Sequence, residues 1–140
     1  MSGKSAVVDV LTATFTALNV AGLTSLLGTT GVRNNAPDDP AFPYVRIEVP
    51  DEERWDTFGK AGKEQIVWAH VFSQYRGDTE AVDIVSKVIE LLNEVAHSVS
   101  SHALARFDFE RHFQGGDELI QGKRTTHRIV QFRVNVQQTS

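Results

Sequence analysis

The residues of this chain best suited to proton transfer or metal binding are its five histidines, His70, His97, His102, His112 and His127. None falls in an H-x-H, H-x-E or H-E-x-x-H arrangement, the spacings that put two ligands on one side of an element. His97 and His102 lie five apart where a helix is failing. His112 and His127 flank a Gly-rich connection and can meet across a hairpin, with Asp108 or Glu110 on the same side. Such a group could hold a metal or work as an acid–base pair. It could equally be a solvated sheet face with charge pairs across strands, and the sequence leaves both open. Gly59-Lys60-Ala61-Gly62-Lys63 resembles a phosphate loop only in composition. The glycines are too close, Glu64 stands where Ser or Thr is needed, and a strand follows instead of a helix. Ser73 has no nucleophile elbow around it. The chain has no cysteine, which removes thiol nucleophiles, disulfides, zinc–thiolate sites and iron–sulfur clusters together. We therefore expect no enzyme, no cofactor and no metal centre.

A second kind of chemistry is adhesion. Asp51-Glu52-Glu53-Arg54-Trp55-Asp56, with Phe58 two residues on, is an acidic run carrying two large aromatics. Aromatics are costly on a free surface and are the usual anchors of protein interfaces. Either they point outward and mark a protein partner, or they fold back over the core. Outward, the surrounding negative charge would repel phosphates and favour protein. Asp51, Glu52, Glu53, Arg54, Trp55, Asp56 and Phe58 are the candidate interface residues.

The elements that must carry these residues follow from periodicity. Val8, Leu11, Phe15 and Leu18 recur at three and four, which predicts an opening helix capped by Ser5 and ended by Asn19. A short helical turn is expected over 22–28. Residues 29–43, with Pro37, Pro40 and Pro43 among Asn and Asp, read as a loop. Tyr44–Val49 alternates as a half-buried strand that Pro50 should stop. Residues 51–63 read as a long loop of a hairpin arm, and Gln65–Phe72 as a central strand. From Asp78 or Thr79, Ala81, Ile84, Val85, Val88, Leu91, Leu92 and Val95 give the clearest helix, fading through Ala96-His97-Ser98. Two last strands follow. The first places Phe107, Phe109 and Phe113 on one face, with Arg106, Asp108, Glu110 and His112 opposite. The second places Val130, Phe132, Val134 and Val136 together, after a connection over 115–122. The fold class expected is α+β: one mostly antiparallel sheet with two main helices on one face and a long hairpin loop.

At 140 residues the chain is one domain, able to bury roughly two thirds of its unfolded surface. With 14 Lys and Arg against 18 Asp and Glu, its net charge of −4 argues against a broad grip on nucleic acid. No stretch approaches the ~20 apolar residues of a membrane span. The segment after the first residues is broken by Asp9, Thr12, Thr14 and Thr16, so no export signal is expected.

Several pieces in order resemble the bacteriophage tail terminator, or tail-completion, family of long non-contractile tails and gene-transfer agents. These are the opening helix Val7–Leu18, Pro43-Tyr44-Val45 after the Pro-rich loop, and Gly62-Lys63-Glu64 through Val71-Phe72-Ser73. Gly77-Asp78-Thr79-Glu80-Ala81, opening a helix with Ile84, Val88, Leu91 and Leu92, is the most characteristic. His127-Arg128 at the start of the last strand completes the pattern. The resemblance implies a structural virion protein of the tail–neck junction, assembled in the host cytoplasm. It implies a homo-oligomeric ring, often a hexamer, that docks on the last tail tube protein ring. That ring stops polymerisation and faces the head-side connector protein. DNA would pass through the lumen without specific binding, and no membrane is involved. Another neck or minor tail protein of the same fold, a cytosolic adaptor, and a small enzyme or ligand-binding domain using Asp108, His112 and His127 are the alternatives.

Overall fold

The structure, a computed structural model, describes residues 4–95 and 97–139. It is α+β, with one mixed five-stranded sheet and three helices. In chain order the elements are α1 (Val7–Leu18), α2 (Ala21–Thr24), β1 (Val32–Arg33), β2 (Tyr44–Arg54), β3 (Gly62–Ser73), α3 (Thr79–Leu92), β4 (His102–Ile120) and β5 (Lys123–Gln138). The strands lie in the order β1-β2-β3-β5-β4. Only the two-residue β1, inside the segment expected to be loop, pairs in parallel.

In α1 the hydroxyls of Thr12, Thr14 and Thr16 donate to the carbonyls four residues back, at 2.9, 2.7 and 3.0 Å. The threonines thus satisfy themselves within a helix they weaken intrinsically. The helix buries Val10, Ala13, Thr14 and Leu18, whereas Val8 is 72% and Phe15 38% exposed. The Val8–Leu11–Phe15 stripe is therefore a second, half-open face and not the core face. Ala6 occupies the cap position, and Ser5, one residue earlier, accepts from the Val7 amide at 3.2 Å.

α3 buries Ala81, Ile84, Val85, Val88 and Leu92. It ends at Leu92, short of Val95, and Ala96 lies outside the described residues. One core cluster joins these helical residues to Val45 and Ile47 of β2, Val67, Ala69 and Val71 of β3, and Val130, Phe132, Val134 and Val136 of β5. These strand positions alternate, so all lie on one face of the sheet.

Three strand expectations need correction. β2 runs through Pro50 to Arg54, because its pairing with β3 shifts register between Glu48 and Asp51. Proline, having no N–H, is accommodated at such an irregularity. Residues 51–54 and 62–63 are consequently strand, and the loop shrinks to a short tip. The connection expected over 115–122 is also strand. β4 and β5 pair as far as Ile120↔Lys123, and the turn is Gln121-Gly122. Finally, β4 shifts register at three places, between Leu104 and Arg106, Phe109 and Arg111, and Gln114 and Gly116. The second shift reverses the faces, so Phe107 and Phe109 meet Phe132 while Phe113 meets Trp68 on the other side.

Candidate functional site

The β2–β3 arm is braced at its root and its tip. At the root, Glu52 points toward the helices. Its Oε2 accepts from the Ala6 amide at 2.9 Å and from Gln65 Nε2 at 2.7 Å. A carboxylate at the start of α1 suits the helix dipole. At the tip, the Asp56 carboxylate accepts from Arg54 Nε and from the Gly62 amide. The Arg54 bond first, then the Gly62 amide, hold the Asp56 carboxyl below the ordinary carboxylate range. Trp55 is half-buried and lies against Gly62, where a Cβ would come within 2.2 Å of the Trp55 carbonyl oxygen. Gln137 Nε2 donates to Thr57 Oγ1 at 2.6 Å, and the Gln138 amide to the Ala61 carbonyl at 2.8 Å, tying the tip to β5.

The turn itself is Thr57-Phe58-Gly59-Lys60, closed by reciprocal Thr57–Lys60 backbone bonds of 3.0 and 2.8 Å. Phe58 has φ 44° and Gly59 φ 80°. Two left-handed central residues make the turn type that favours Asn-Gly. Phe58 is fully exposed. Of the two aromatics, then, Phe58 points outward and Trp55 is partly folded back. Asp51, Glu53 and Arg54 are exposed along the arm.

The sheet face away from the core cluster carries a row of rings. Phe42, Tyr44, Phe72, His127, His70, Trp68 and Phe113 contact one another in succession at centroid distances of 4.4 to 6.0 Å. The Arg111 guanidinium caps the row 4.2 Å above Phe113. Within it, Glu48 Oε1 hydrogen-bonds His70 Nε2 at 2.5 Å, and His70 Nδ1 meets His127 Nε2 at 2.8 Å. Burial pushes both imidazoles down, His127 to about 4, with His70 and Arg46 adding to the effect on His127. Beside the row, Arg133 bridges Glu64 and Glu110 at 2.8 Å each. The far end of the β4–β5 ribbon is tied back by Gln121 to Asp39 and by Gln74 to the Ile120 carbonyl.

The sequence profile of the family described as "Tail completion protein gp17" matches residues 12–137. The chain belongs to this tail completion protein family. Among solved structures, a chain of the virion of a native gene transfer agent particle has the same fold. The match has a TM-score of 0.71 at 19% identity and covers 94% of this chain and 95% of that one. No curated protein sequence matches.

The tail completion protein does not assemble the histidine site considered above. His112 pairs in register with Val130, on the core-cluster face, whereas His127 pairs with Gly116 and Phe72 on the other. Asp108 lies on the His127 side but opposite Arg133, well along the strand. The bulge after Phe109 is what separates them. His112 is pushed down by burial and by Arg128, with no carboxylate partner involved. Ser73 is fully buried, and its Oγ donates to Glu80 Oε1 at 2.8 Å, a structural bond at the start of α3. His97 Nε2 reaches the Leu92 carbonyl at 3.2 Å, at the end of α3. Gly59–Lys63 is the arm tip and first strand residues, not an anion cradle. Among the described residues no group of three His, Asp or Glu could hold a metal, and no helix is long and apolar enough to cross a membrane. The sequence missed the Glu48–His70–His127 chain, because its members lie 22 and 57 residues apart and only the strand register brings them together.

Proposed function

We propose that this tail completion protein caps the tail tube as a homo-oligomeric ring, a hexamer, ending polymerisation and offering the joining surface to the head-side connector. The protein's role is structural, not catalytic. The observation that carries the reading is the arm: a rigid hairpin, braced at root and tip, that ends in a fully exposed phenylalanine. An exposed aromatic on a rigid support is what a docking surface needs, because little ordering entropy remains to be lost on binding. Asp51, Glu53, Arg54, Trp55 and Phe58 would supply the contact. Glu52 and Asp56 would serve by holding the arm in place. The net charge of −4 suits a ring through which DNA must slide without being held. Assembly takes place in the host cytoplasm, and the product is part of the virion.

Particles produced without this protein should carry tubes of uncontrolled length and unjoined heads. Purified protein added back to tubes should bind their ends and restore joining. Tubes of normal length joined to heads in its absence would refute the reading.

A further inference from the structure

The edge of a sheet offers unpaired N–H and C=O groups to another strand, and folds normally cover or blunt it. Here β2 is 11 residues long, and β1 pairs with it only at Val45 and Arg46. The remainder, 47–54, leaves an open edge of roughly 25 Å. Which groups face outward follows from the bonds at its two ends. The Val45 amide donates to the Gly31 carbonyl on the β1 side, and the Trp55 amide to the Gly62 carbonyl on the β3 side. Residues of a ladder alternate in direction, and the register shift between Glu48 and Asp51 resets the count once. The main-chain groups of Val49, Glu52 and Arg54 therefore point away from β3. Among the described residues no backbone bond from outside the sheet reaches them.

Two different surfaces flank this edge. On the helix side is an apolar cleft of about 350 Å³, lined by Val8, Leu11 and Phe15 of α1 with Val32 and Ile47. On the other side, Glu52 turns toward the helices, so its neighbours Asp51 and Glu53 turn away, and both are exposed. Arg54 is paired with Asp56, and the cleft's charged residue, Arg33, stands at the β1 end. Along the arm the edge is thus apolar on one side and acidic on the other. Pairing with a second copy is opposed. Another β2 would bring Asp51 and Glu53 against their like, and β4 is broken by three register shifts. We infer that the outer edge of β2 receives an extended segment of a partner protein, one whose residues alternate apolar and basic. The segment's main chain bonds to Val49, Glu52 and Arg54, its apolar side chains enter the cleft beside α1, and its basic ones meet Asp51 and Glu53. This rests on the arm being the docking element proposed above, and adds main-chain contacts to those of its side chains.

The probe is a synthetic octapeptide alternating lysine and valine, titrated into the whole protein and followed by amide exchange. It should bind and slow exchange at Glu52 and Arg54. An octapeptide alternating glutamate and valine should bind about thirtyfold more weakly or worse. Asp51→Lys combined with Glu53→Lys should melt like the parent, both positions being exposed, and reverse that preference. N-methylation of every amide of the lysine peptide keeps its charge and side chains but removes its main-chain donors, and should weaken binding by about tenfold or more. A lysine peptide that does not bind, or that binds equally when N-methylated, would overturn the inference. The docking arm is tested apart from this, by binding of the protein to tube ends. A protein that binds tube ends but refuses the peptide would overturn the inference and leave the arm reading standing. One that takes the peptide but never binds tube ends would refute the arm reading instead.

Discussion

Replacing Glu52 with alanine isolates the bracing of the arm from its docking. The carboxylate accepts two hydrogen bonds, from the Ala6 amide at 2.9 Å and from Gln65 Nε2 at 2.7 Å. Both donors are fully buried, and Gln65 Oε1 already lacks a partner. Hydrogen bonds to a charged group contribute roughly 1.5–3 kcal/mol each, and water can enter part of the space left. The expected loss is therefore about 3 kcal/mol, a large share of the ~5–15 kcal/mol that holds a domain together. With a urea slope of about 2 kcal/mol/M, the midpoint should fall by about 1.5 M. Glu52→Gln keeps an acceptor and should cost about 1 kcal/mol. Glu52→Leu combined with Gln65→Leu removes the Gln65 amide along with its acceptor but leaves the buried Ala6 N–H without one, so it should recover only part of the loss. The assay is urea unfolding followed by circular dichroism at neutral pH. A Glu52→Ala protein with the parent midpoint, but defective in binding tubes, would refute the bracing role and make Glu52 a docking residue.

Acid should weaken the ring row of the sheet. His127 is held down to about 4 and His70 is also lowered, so the unfolded chain binds more protons between pH 6.5 and about 4. Stability is full above the unfolded value and falls through that window. The His127 shift is worth at most ~3 kcal/mol, and partial exposure reduces this to about 1–2 kcal/mol. His127→Gln should flatten the dependence, measured as urea midpoint against pH. Gly62→Ala would place a Cβ 2.2 Å from the Trp55 carbonyl oxygen and 2.9 Å from that of Val136. It should therefore displace the tip, seen as loss of amide protection around Trp55 and Ala61 and loss of tube binding. Trp55→Ala should keep the fold and weaken assembly, tested by melting and by tube binding, and an unfolded variant would show Trp55 to be core.

The α3 stripe was legible because its apolar residues recur on one face and its other face is polar. In α1 two apolar stripes coexist, Val8–Leu11–Phe15 and Val10–Ala13–Leu18, and periodicity cannot say which one meets the sheet. Pro50 and the Gly115-Gly116 pair were read as stops, yet each lies where the ladder slips and the strand goes on. Gly115 is small for another reason: a Cβ there would come within 2.4 Å of the His127 ring. Each slip also exchanges the two faces of everything beyond it. That is why Phe113 parts from Phe107 and why His112 and His127 never meet. The arm residues were visible by composition, but their division of labour was not. That Glu52 turns inward and Phe58 outward depends on register and on the backbone of one turn.

The two borders of the sheet have a consequence of their own. β1 offers only two residues, and the 19-residue β4 is interrupted by three register shifts, with the Asn93 side chain and the Glu94 amide already bonded to it at Phe109 and Phe107. The two borders therefore differ: along β4 the register shifts and the Asn93 and Glu94 bonds break up any row of free backbone groups, whereas β1 covers β2 only at Val45 and Arg46 and leaves the outer side of the arm without a strand partner. Along β4 the addition of another strand is opposed, and contacts on that side fall to side chains, which can be specific and reversible.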